Sequence, residues 1–426
     1  MSGADDLSAR DRRVLWHPYT QHGIDQNFLP VRRAQGARLE LDDGRSVIDA
    51  ISSWWTVLHG HGEAALVDAM TRQARTLDHV LFAGATHEPA VALAEALVHE
   101  APAGLTRVFY SDDGSTAVEV ALKIAWQSAR SNGQTQRDLF LALEGGYHCD
   151  TFGAMAVGDP DPFFRPFAAL MFAVERTQPT IDGLRELFAR RGERAVALIV
   201  EPLVQGAAGM RMHAPDVLRE ARVLCDAHGV VLICDEVMTG FGRTGALFAC
   251  RKAGVMPDLM CLAKGLAGGM LPLAATLATE RLFETFVSLD RSRAFFHGHS
   301  FTAHPIACAV ALASLQLCLE RDVPARLEHI GRTIEERARA LCAGNTTVHE
   351  IRRLGGIVAI ELVCEHPGYL ALDPLALRAR ALELGVLLRP LGNVLYAMPP
   401  ACTSDDECCT IATALAELAQ LSAACR

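Results

Sequence analysis

Short runs of apolar residues alternate with amphipathic stretches through residues 61–319 of the chain. The apolar runs predict buried strands, and the stretches between them repeat apolar residues at helical spacing. Strands that alternate with helices predict an α/β fold with a largely parallel sheet, whose ligand groups lie at the carboxyl ends of the strands. The predicted strands are 106–110, 139–143, 195–204, 229–237, 259–263 and 273–279, and the predicted helices are 64–76, 89–100, 117–129, 215–228 and 306–319.

Beyond residue 319 the pattern changes to a smaller α+β domain. We expect the segment 1–60, which contains an extended stretch around 38–49, to join this domain. The predicted organisation is therefore an N-terminal segment (1–60), a large domain that carries the site (61–319) and a C-terminal small domain (320–426). The small domain is predicted from helices at 326–343, 373–384 and 405–425, a strand within 348–363 and an apolar extended segment at 386–400.

Composition excludes several classes of function. A formal net charge of −10 gives no electrostatic basis for binding nucleic acid or an anionic membrane. No apolar run reaches the ~20 residues of a membrane span, and the first residues lack an apolar signal region, so we expect a cytoplasmic protein. The 13 cysteines lie at irregular spacing without a CxxC motif, so we expect free thiols and no zinc site.

Lysine usage draws attention to one residue. Of the 40 lysine and arginine residues only Lys123, Lys252 and Lys264 are lysines. Lys123 and Lys252 lie on helix-like segments with polar neighbours, whereas Lys264 follows a buried apolar run and precedes a glycine-rich turn. A desolvated amine can lose its proton and form an imine with an aldehyde, which a guanidinium cannot do. The alternative is a strand-end cation whose charge reaches solvent.

Asp235 follows a second apolar run, upstream of Lys264. A buried carboxylate needs a cationic partner. The ring nitrogen of pyridoxal phosphate is such a partner, because it is held as a pyridinium when a carboxylate lies beside it. We therefore expect Asp235 and Lys264, at the ends of successive strands, to belong to one site.

Other residues fit the same edge of the sheet. Gly114, Ser115 and Thr116 lie between a strand and a helix, where free N–H groups and hydroxyls suit a phosphate. A plain N-cap, with a capping box between Thr116 and Glu119, fits these residues equally well. Tyr147 follows the next strand and suits stacking on a cofactor ring. For His148 we favour local hydrogen bonds within the turn, and such bonds are also the alternative for Asp150.

Two further features have alternative interpretations. Trp54 and Trp55 form either a flat apolar wall for a long substrate or core and dimer-interface aromatics. Arg389 ends an apolar segment beside a proline. It is either a bidentate clamp for a substrate carboxylate or a surface arginine at a strand end.

With these residues identified, the chain resembles the class III pyridoxal-phosphate aminotransferases of fold type I. The resemblance rests on the stretch DEVMTGFGRTG that begins at Asp235, on AKGL around Lys264, and on the GST sequence before a helix. It extends over nearly the whole length, from the HPYT to the YAMPP sequences. The resemblance implies a pyridoxal 5'-phosphate cofactor bound in the large domain.

Within that family, the closer resemblance is to the branch that transfers an amino group from S-adenosylmethionine to 8-amino-7-oxononanoate in biotin biosynthesis. Residues that carry it include the sequences WHPYT at 16–20 and SSWW at 52–55. Lysine remains open as the amino donor. The alternatives are another class III enzyme, acting on ω-amino acids or polyamines, and a pyridoxal-phosphate-binding protein without catalysis.

The resemblance also implies roles for individual residues. Lys264 would hold the cofactor as an internal aldimine and move the proton, with Asp235 as the partner of the pyridinium. Ser300 would contact the cofactor phosphate of a partner subunit, which implies a homodimer with shared active sites. Tyr19 would line the pocket and take part in catalysis. The remaining implied residues are Gly114 and Ser115 at the phosphate, Tyr147 on the ring, Trp54, Trp55, Tyr147, Asp150 and Tyr396 at the substrate, and Arg389 at its carboxylate.

The chain departs from the family pattern at a few positions. Asp112 and Asp113 precede the phosphate loop where one small residue is usual. Cys149 stands where glycine is common. Ser300 replaces the usual threonine, and Ala303-His304 replaces Gly-Asn. The hydroxyl of Ser300 preserves the expected phosphate contact, whereas Cys149 leaves donor selectivity open.

Overall fold

The computed structural model describes residues 7–24 and 28–421. Among these residues the strands are β1 (Val31–Gln35), β2 (Arg38–Leu41), β3 (Ser46–Asp49), β4 (Leu105–Ser111), β5 (Leu139–Leu143), β6 (Val174–Thr177), β7 (Ala195–Val200), β8 (Val204–Gln205), β9 (Arg211–Met212), β10 (Val231–Asp235), β11 (Leu259–Leu262), β12 (Ala274–Thr279), β13 (Val348–Leu354), β14 (Ile357–Leu362), β15 (Val386–Leu387) and β16 (Val394–Ala397).

The helices surround these strands. Within the described ranges they are α1 (Leu7–Val14), α2 (Ser52–Trp55), α3 (Ala64–Ala74), α4 (Glu88–Glu100), α5 (Gly114–Ser131), α6 (Phe152–Val157), α7 (Ile181–Arg191), α8 (Pro215–His228), α9 (Ala249–Ala253), α10 (Glu280–Glu284), α11 (Pro305–Glu320), α12 (Val323–Leu341), α13 (Pro374–Glu383) and α14 (Asp405–Leu421). The predicted continuation of α14 to residue 425 lies outside the described residues.

A seven-stranded sheet forms the centre, in the order β4-β12-β11-β10-β7-β5-β6. Its strands are parallel except β12, which is antiparallel to both β11 and β4. The residues of β5, β7, β10 and β11 are all buried, as expected for parallel strands covered on both faces by helices. The predicted largely parallel α/β sheet is thus confirmed.

Smaller sheets lie outside the central one. One has the order β1-β2-β3-β15, so that strands from the N-terminal segment pair with a strand near the C-terminus. Another has the order β13-β14-β16. The chain boundaries at residues 60 and 319 stay a prediction.

Several elements were not predicted. The strand β6 is a half-buried edge strand beside β5. It was missed because its sequence, VERT, contains two charged residues. The strand β13 forms an antiparallel hairpin with β14, whereas the sequence predicted one strand in 348–363. The capping box of α5 was also assigned wrongly. The box is instead formed by Asp113, the N-cap residue of α5, whose side chain accepts the N–H of Thr116. Glu119 accepts the N–H groups of Gly153 and Ala154.

Two further observations concern membrane-spanning helices and metal sites. Among residues 7–24 and 28–421, no helix is both long and apolar enough to span a membrane. In the same part of the chain, no three His, Cys, Asp or Glu side chains are grouped as they would be around a metal ion.

Candidate active site

A cavity of about 510 Å³ opens at the carboxyl ends of the central strands. Most of the residues predicted to form the site line this cavity, although they come from six distant parts of the chain. Its walls include Tyr19, Trp54, Trp55, Gly114, Ser115, Tyr147, Cys149, Asp150, Lys264, Tyr369, Arg389 and Tyr396.

Lys264 follows β11 and begins a 3₁₀ turn, Lys264–Ala267. Its φ of 44° lies in the left-handed region, which a non-glycine residue adopts at an energetic cost and which is often found at functional sites. The turn directs the side chain into the cavity, where Nζ lies 4.7 Å from the centre of the Trp55 ring. No acidic side chain among the described residues is paired with this amine, so it is available for covalent chemistry.

Asp235 ends β10 and is 4% exposed. Its Oδ1 accepts the N–H of Val237 at 3.0 Å, and its Oδ2 lies 2.7 Å from His148 Nδ1. The interpretation of His148 as a residue of local turn hydrogen bonds was therefore wrong. A buried imidazole that donates to Asp235 holds this side chain in place.

The start of α5 forms the third part of the site. Gly114 and Ser115 occupy the first turn, where N–H groups have no acceptor within the helix. A Cβ at position 114 would lie 2.6 Å from Val237 Cγ1, so only glycine fits there. Ser115 Oγ donates to Thr151 Oγ1 at 2.8 Å and accepts the Thr151 N–H at 3.0 Å, which ties α5 to the loop before α6.

These three parts fit pyridoxal phosphate. Lys264 Nζ suits its aldehyde, the buried carboxylate of Asp235 suits its ring nitrogen, and the N-terminus of α5 suits its phosphate. The buried Asp235 has no arginine or lysine partner among the described residues. A cationic ring nitrogen beside it would supply the missing charge.

Tyr19, Tyr147 and Asp150 form a polar group at the cavity mouth. Tyr19 Oη donates to Asp150 Oδ1 at 2.6 Å, and Tyr147 Oη donates to the same oxygen at 3.0 Å. Burial raises the pKa of both phenols, and the neighbouring Asp150 raises that of Tyr19 further. Both hydroxyls therefore stay protonated across the physiological range and act as donors.

A cation and two aromatic rings, an indole and a phenol, form another wall. The Arg389 guanidinium lies 4.3 Å from the Trp54 ring centre and 5.8 Å from that of Tyr19. Among the described residues it has no acidic partner. Stacking on aromatic rings holds the guanidinium while leaving its N–H groups free for a carboxylate.

Trp55 is fixed from two sides. Its Nε1 donates to Tyr396 Oη at 2.9 Å, and its main-chain oxygen accepts from Arg243 Nη2 at 3.3 Å. Arg243 is 1% exposed and also donates to Val57 and Pro399 oxygens. The sequence stretch FGRTG contained this arginine but gave no sign of its partners.

Ser300 and Cys149 are two of the positions at which the sequence departs from the pattern of the family that it resembles. Ser300 is exposed on the loop before α11 and does not line the cavity. Its expected contact with a partner subunit stays a prediction. Cys149 does line the cavity and has a φ of 78°, which explains why glycine would be favourable at this position. Burial raises the pKa of its thiol to about 12, so the sulfur stays protonated.

Comparisons with known proteins agree with this geometry. A profile of the family described as Aminotransferase class-III matches residues 19–418. An adenosylmethionine-8-amino-7-oxononanoate aminotransferase of Synechococcus elongatus is 48% identical over 423 residues, covering 95% of this chain and 98% of that protein.

Solved structures agree as well. The crystal structure of an adenosylmethionine-8-amino-7-oxononanoate aminotransferase from Methanocaldococcus jannaschii has a TM-score of 0.92 and 33% identity, covering 97% of this chain and 98% of that one. An amine transaminase from an uncultivated Pseudomonas species, in the PLP-bound form, has a TM-score of 0.89 and 32% identity. It covers 96% of this chain and 98% of that one.

Proposed function

The chain belongs to the class III aminotransferases, and we propose that it transfers an amino group from S-adenosylmethionine to 8-amino-7-oxononanoate, giving 7,8-diaminononanoate for biotin biosynthesis. It is a pyridoxal-phosphate-dependent enzyme of fold type I. Relatives that match nearly the whole chain and carry the name of this aminotransferase support the choice of acceptor.

The observation that carries the proposal is the position of Arg389. Its guanidinium lines the cavity over Trp54 and has no acidic partner among the described residues. The acceptor has a carboxylate at the end of an aliphatic chain, remote from its ketone. A bidentate bond to this carboxylate contributes roughly 1.5–3 kcal/mol and fixes which carbonyl reaches the reacting centre. Trp54 and Trp55 would cover the aliphatic chain.

Lys264 would move the reacting proton. The chemistry that pyridoxal phosphate supplies when bound is carbonyl exchange with amines and delocalisation of the electron pair left when a C–H bond breaks. In the first half of the reaction Lys264 Nζ would accept the proton of the donor's reacting carbon. In the second half of the reaction Lys264 Nζ would return a proton to the carbon that was the ketone of the acceptor.

Asp235 and His148 would stabilise positive charge at the ring nitrogen. The buried Asp235 carboxyl group, held by His148 and by the Val237 N–H, would place its negative charge against the ring nitrogen. Such a preorganised charge needs no reorganisation during the reaction.

Asp150 would recognise an amino group of the substrate. Its Oδ1 already accepts from Tyr19 and Tyr147, which leaves its other oxygen available for an ammonium. In this role Tyr19 orients the carboxylate at the mouth of the cavity.

The assembly and location are proposed on the sequence alone. We infer a homodimer in which Ser300 reaches the phosphate site of the partner, and a cytoplasmic location. The exposed position of Ser300 is compatible with the first of these.

A stopped-flow absorbance experiment tests the reaction. The holoenzyme is mixed with S-adenosylmethionine, lysine, an ω-amino acid or a polyamine, and afterwards with 8-amino-7-oxononanoate. We expect S-adenosylmethionine to change the cofactor spectrum and the oxo-acid to restore it, with diaminononanoate detected by mass spectrometry. Restoration by other ketones but not by this oxo-acid would reject the acceptor. A change of the cofactor spectrum with lysine and not with S-adenosylmethionine would reject the proposed donor and leave the proposed acceptor unaffected.

A further inference from the structure

Glu201 is a buried carboxylate to which the proposed reaction gives no part. It follows β7 and is 6% exposed. Its Oε2 accepts the N–H of Tyr147 at 3.0 Å, and its Oε1 accepts the N–H of Gly206 at 2.9 Å. Both N–H donors belong to loops at the cavity, since Tyr147 and the residue after Gly206 line its wall. Burying an ionised carboxylate without a cationic partner is unfavourable in free energy, so the charged groups around Glu201 decide its state.

The charged groups that act on Glu201 are His148 and Asp235. These two share a hydrogen bond of 2.7 Å, and each is at most 4% exposed. His213 donates from Nε2 to the main-chain oxygen of Glu201 at 3.1 Å, but burial lowers the pKa of His213 and keeps it neutral. Among the described residues, no lysine or arginine is bonded to Glu201. Asp235, His148 and Glu201 therefore form a buried trio.

The charge of this trio is unbalanced. Two carboxyl groups face a single imidazole, so the trio contains more acidic than basic groups. Burial raises the pKa of Glu201 to about 7, opposed by His148 and reinforced by repulsion from Asp235. A cation placed against Asp235 would offset that repulsion. The pyridinium of the cofactor is a cation of this kind.

We propose that Glu201 is a positioning residue that gives up its proton to solvent when the cofactor pyridinium binds beside Asp235, so that the buried trio balances the charge of the ring. Glu201 would act through His148 and Asp235 without touching the cofactor. The inference rests on the cofactor of the family and is independent of the substrates proposed above.

The pH dependence follows from this linkage. In the free protein Glu201 has a pKa of about 7, and the bound cation lowers it. Above pH 7 the carboxylate is already ionised, so its contribution to cofactor affinity is constant. As the pH falls below 7, binding must also remove a proton, and affinity drops by up to about tenfold per pH unit until the lower, bound-state pKa is reached.

Calorimetry of the full-length apo-protein tests the proposal. Pyridoxal phosphate is titrated at pH 6 in two buffers of different ionisation enthalpy, which gives the number of protons released. An analogue whose ring nitrogen is replaced by CH serves as the matched ligand. Glu201→Gln is the matched variant, because it keeps the shape but cannot ionise. Circular dichroism checks that the variant is folded.

We expect the wild type to release close to one more proton than Glu201→Gln with pyridoxal phosphate, and no excess with the carbocyclic analogue. Between pH 8 and pH 6 its affinity should fall about tenfold relative to the variant. Equal proton release by the two proteins, or the same excess with both ligands, would overturn the proposal. If Glu201→Gln does not fold, the comparison of the two ligands on the wild-type protein tests the proposal by itself. Equal numbers of protons released with pyridoxal phosphate and with the carbocyclic analogue would then contradict it.

Discussion

His148 Nδ1 lies 2.7 Å from Asp235 Oδ2, and the two residues are 87 positions apart in the chain. The bond joins the loop after β5 to the end of β10, beneath the cavity that Lys264 enters. This bond fixes the orientation of the Asp235 carboxyl group, which suits the cofactor's ring nitrogen. The position of the Asp235 carboxyl group is thus fixed by the fold.

Asp235→Asn should strongly reduce turnover. The amide keeps the size of the side chain but removes the charge that stabilises a pyridinium. We expect kcat to fall by at least about 100-fold, the loss seen when one preorganised electrostatic group is removed. Steady-state kinetics of the reconstituted holoenzyme measure this effect. The paired variant His148→Gln should lose less, because the carboxylate remains. An unchanged kcat in Asp235→Asn would contradict the assignment.

Arg389→Ala should separate the two substrates. Loss of a bidentate bond of roughly 1.5–3 kcal/mol should raise the KM for 8-amino-7-oxononanoate about 10- to 100-fold. The donor KM should change far less. Arg389→Lys keeps the charge without the planar fork and should recover part of the loss. A similar rise in both KM values would reject the clamp.

Tyr19→Phe should cost kcat/KM about five- to tenfold. The variant removes the 2.6 Å hydrogen bond to Asp150, and such a bond to a charged group is worth about 1–1.5 kcal/mol at an accessible site. Tyr147→Phe removes the weaker 3.0 Å bond to the same oxygen and is the matched comparison. Burial raises the pKa of both phenols, so the wild-type pH profile should show no limb from either below pH 9.

His59 should make the fold sensitive to acid. Its Nε2 donates to Ser314, 3.1 Å away, and burial lowers its pKa to about 4, against about 6.5 in an unfolded chain. The unfolded state therefore binds more protons, and the stability due to neutral His59 is present above pH 6.5 and is lost as the pH falls to 4. The difference is about 3 kcal/mol.

Urea unfolding of the wild type and of His59→Gln at pH 7.5 and pH 4 measures this term. The free energy of unfolding should fall about 3 kcal/mol further in the wild type than in the variant over that range. The same pH dependence in both proteins would show that protonation of His59 does not lower the free energy of unfolding, which would contradict the prediction.

The sequence predicted the parts of the site that have a local signature. Lys264 and Asp235 were found because each charge directly follows a buried apolar run, and because lysine is rare in this chain. The parallel sheet followed from runs such as those of β7 and β10, whose residues are all buried.

The sequence could not predict which residues contact each other when they lie far apart in the chain. His148, Arg243 and Glu201 are ordinary polar residues in loops or at strand ends, and their roles depend on groups many residues away. Arg243 reaches the Pro399 oxygen over 156 positions. The strand β6 was missed for a related reason. Its sequence VERT has no apolar alternation, and only its pairing with β5 makes it a strand.

Borohydride reduction of the holoenzyme, followed by proteolysis and mass spectrometry, tests the central claim most directly. Three lysines are present, so the covalent site can be assigned without ambiguity. We expect the reduced cofactor on the peptide that contains Lys264, and no attachment in Lys264→Ala. Attachment to Lys123 or Lys252, or none to the wild type, would contradict the assignment of Lys264 as the residue that holds the cofactor.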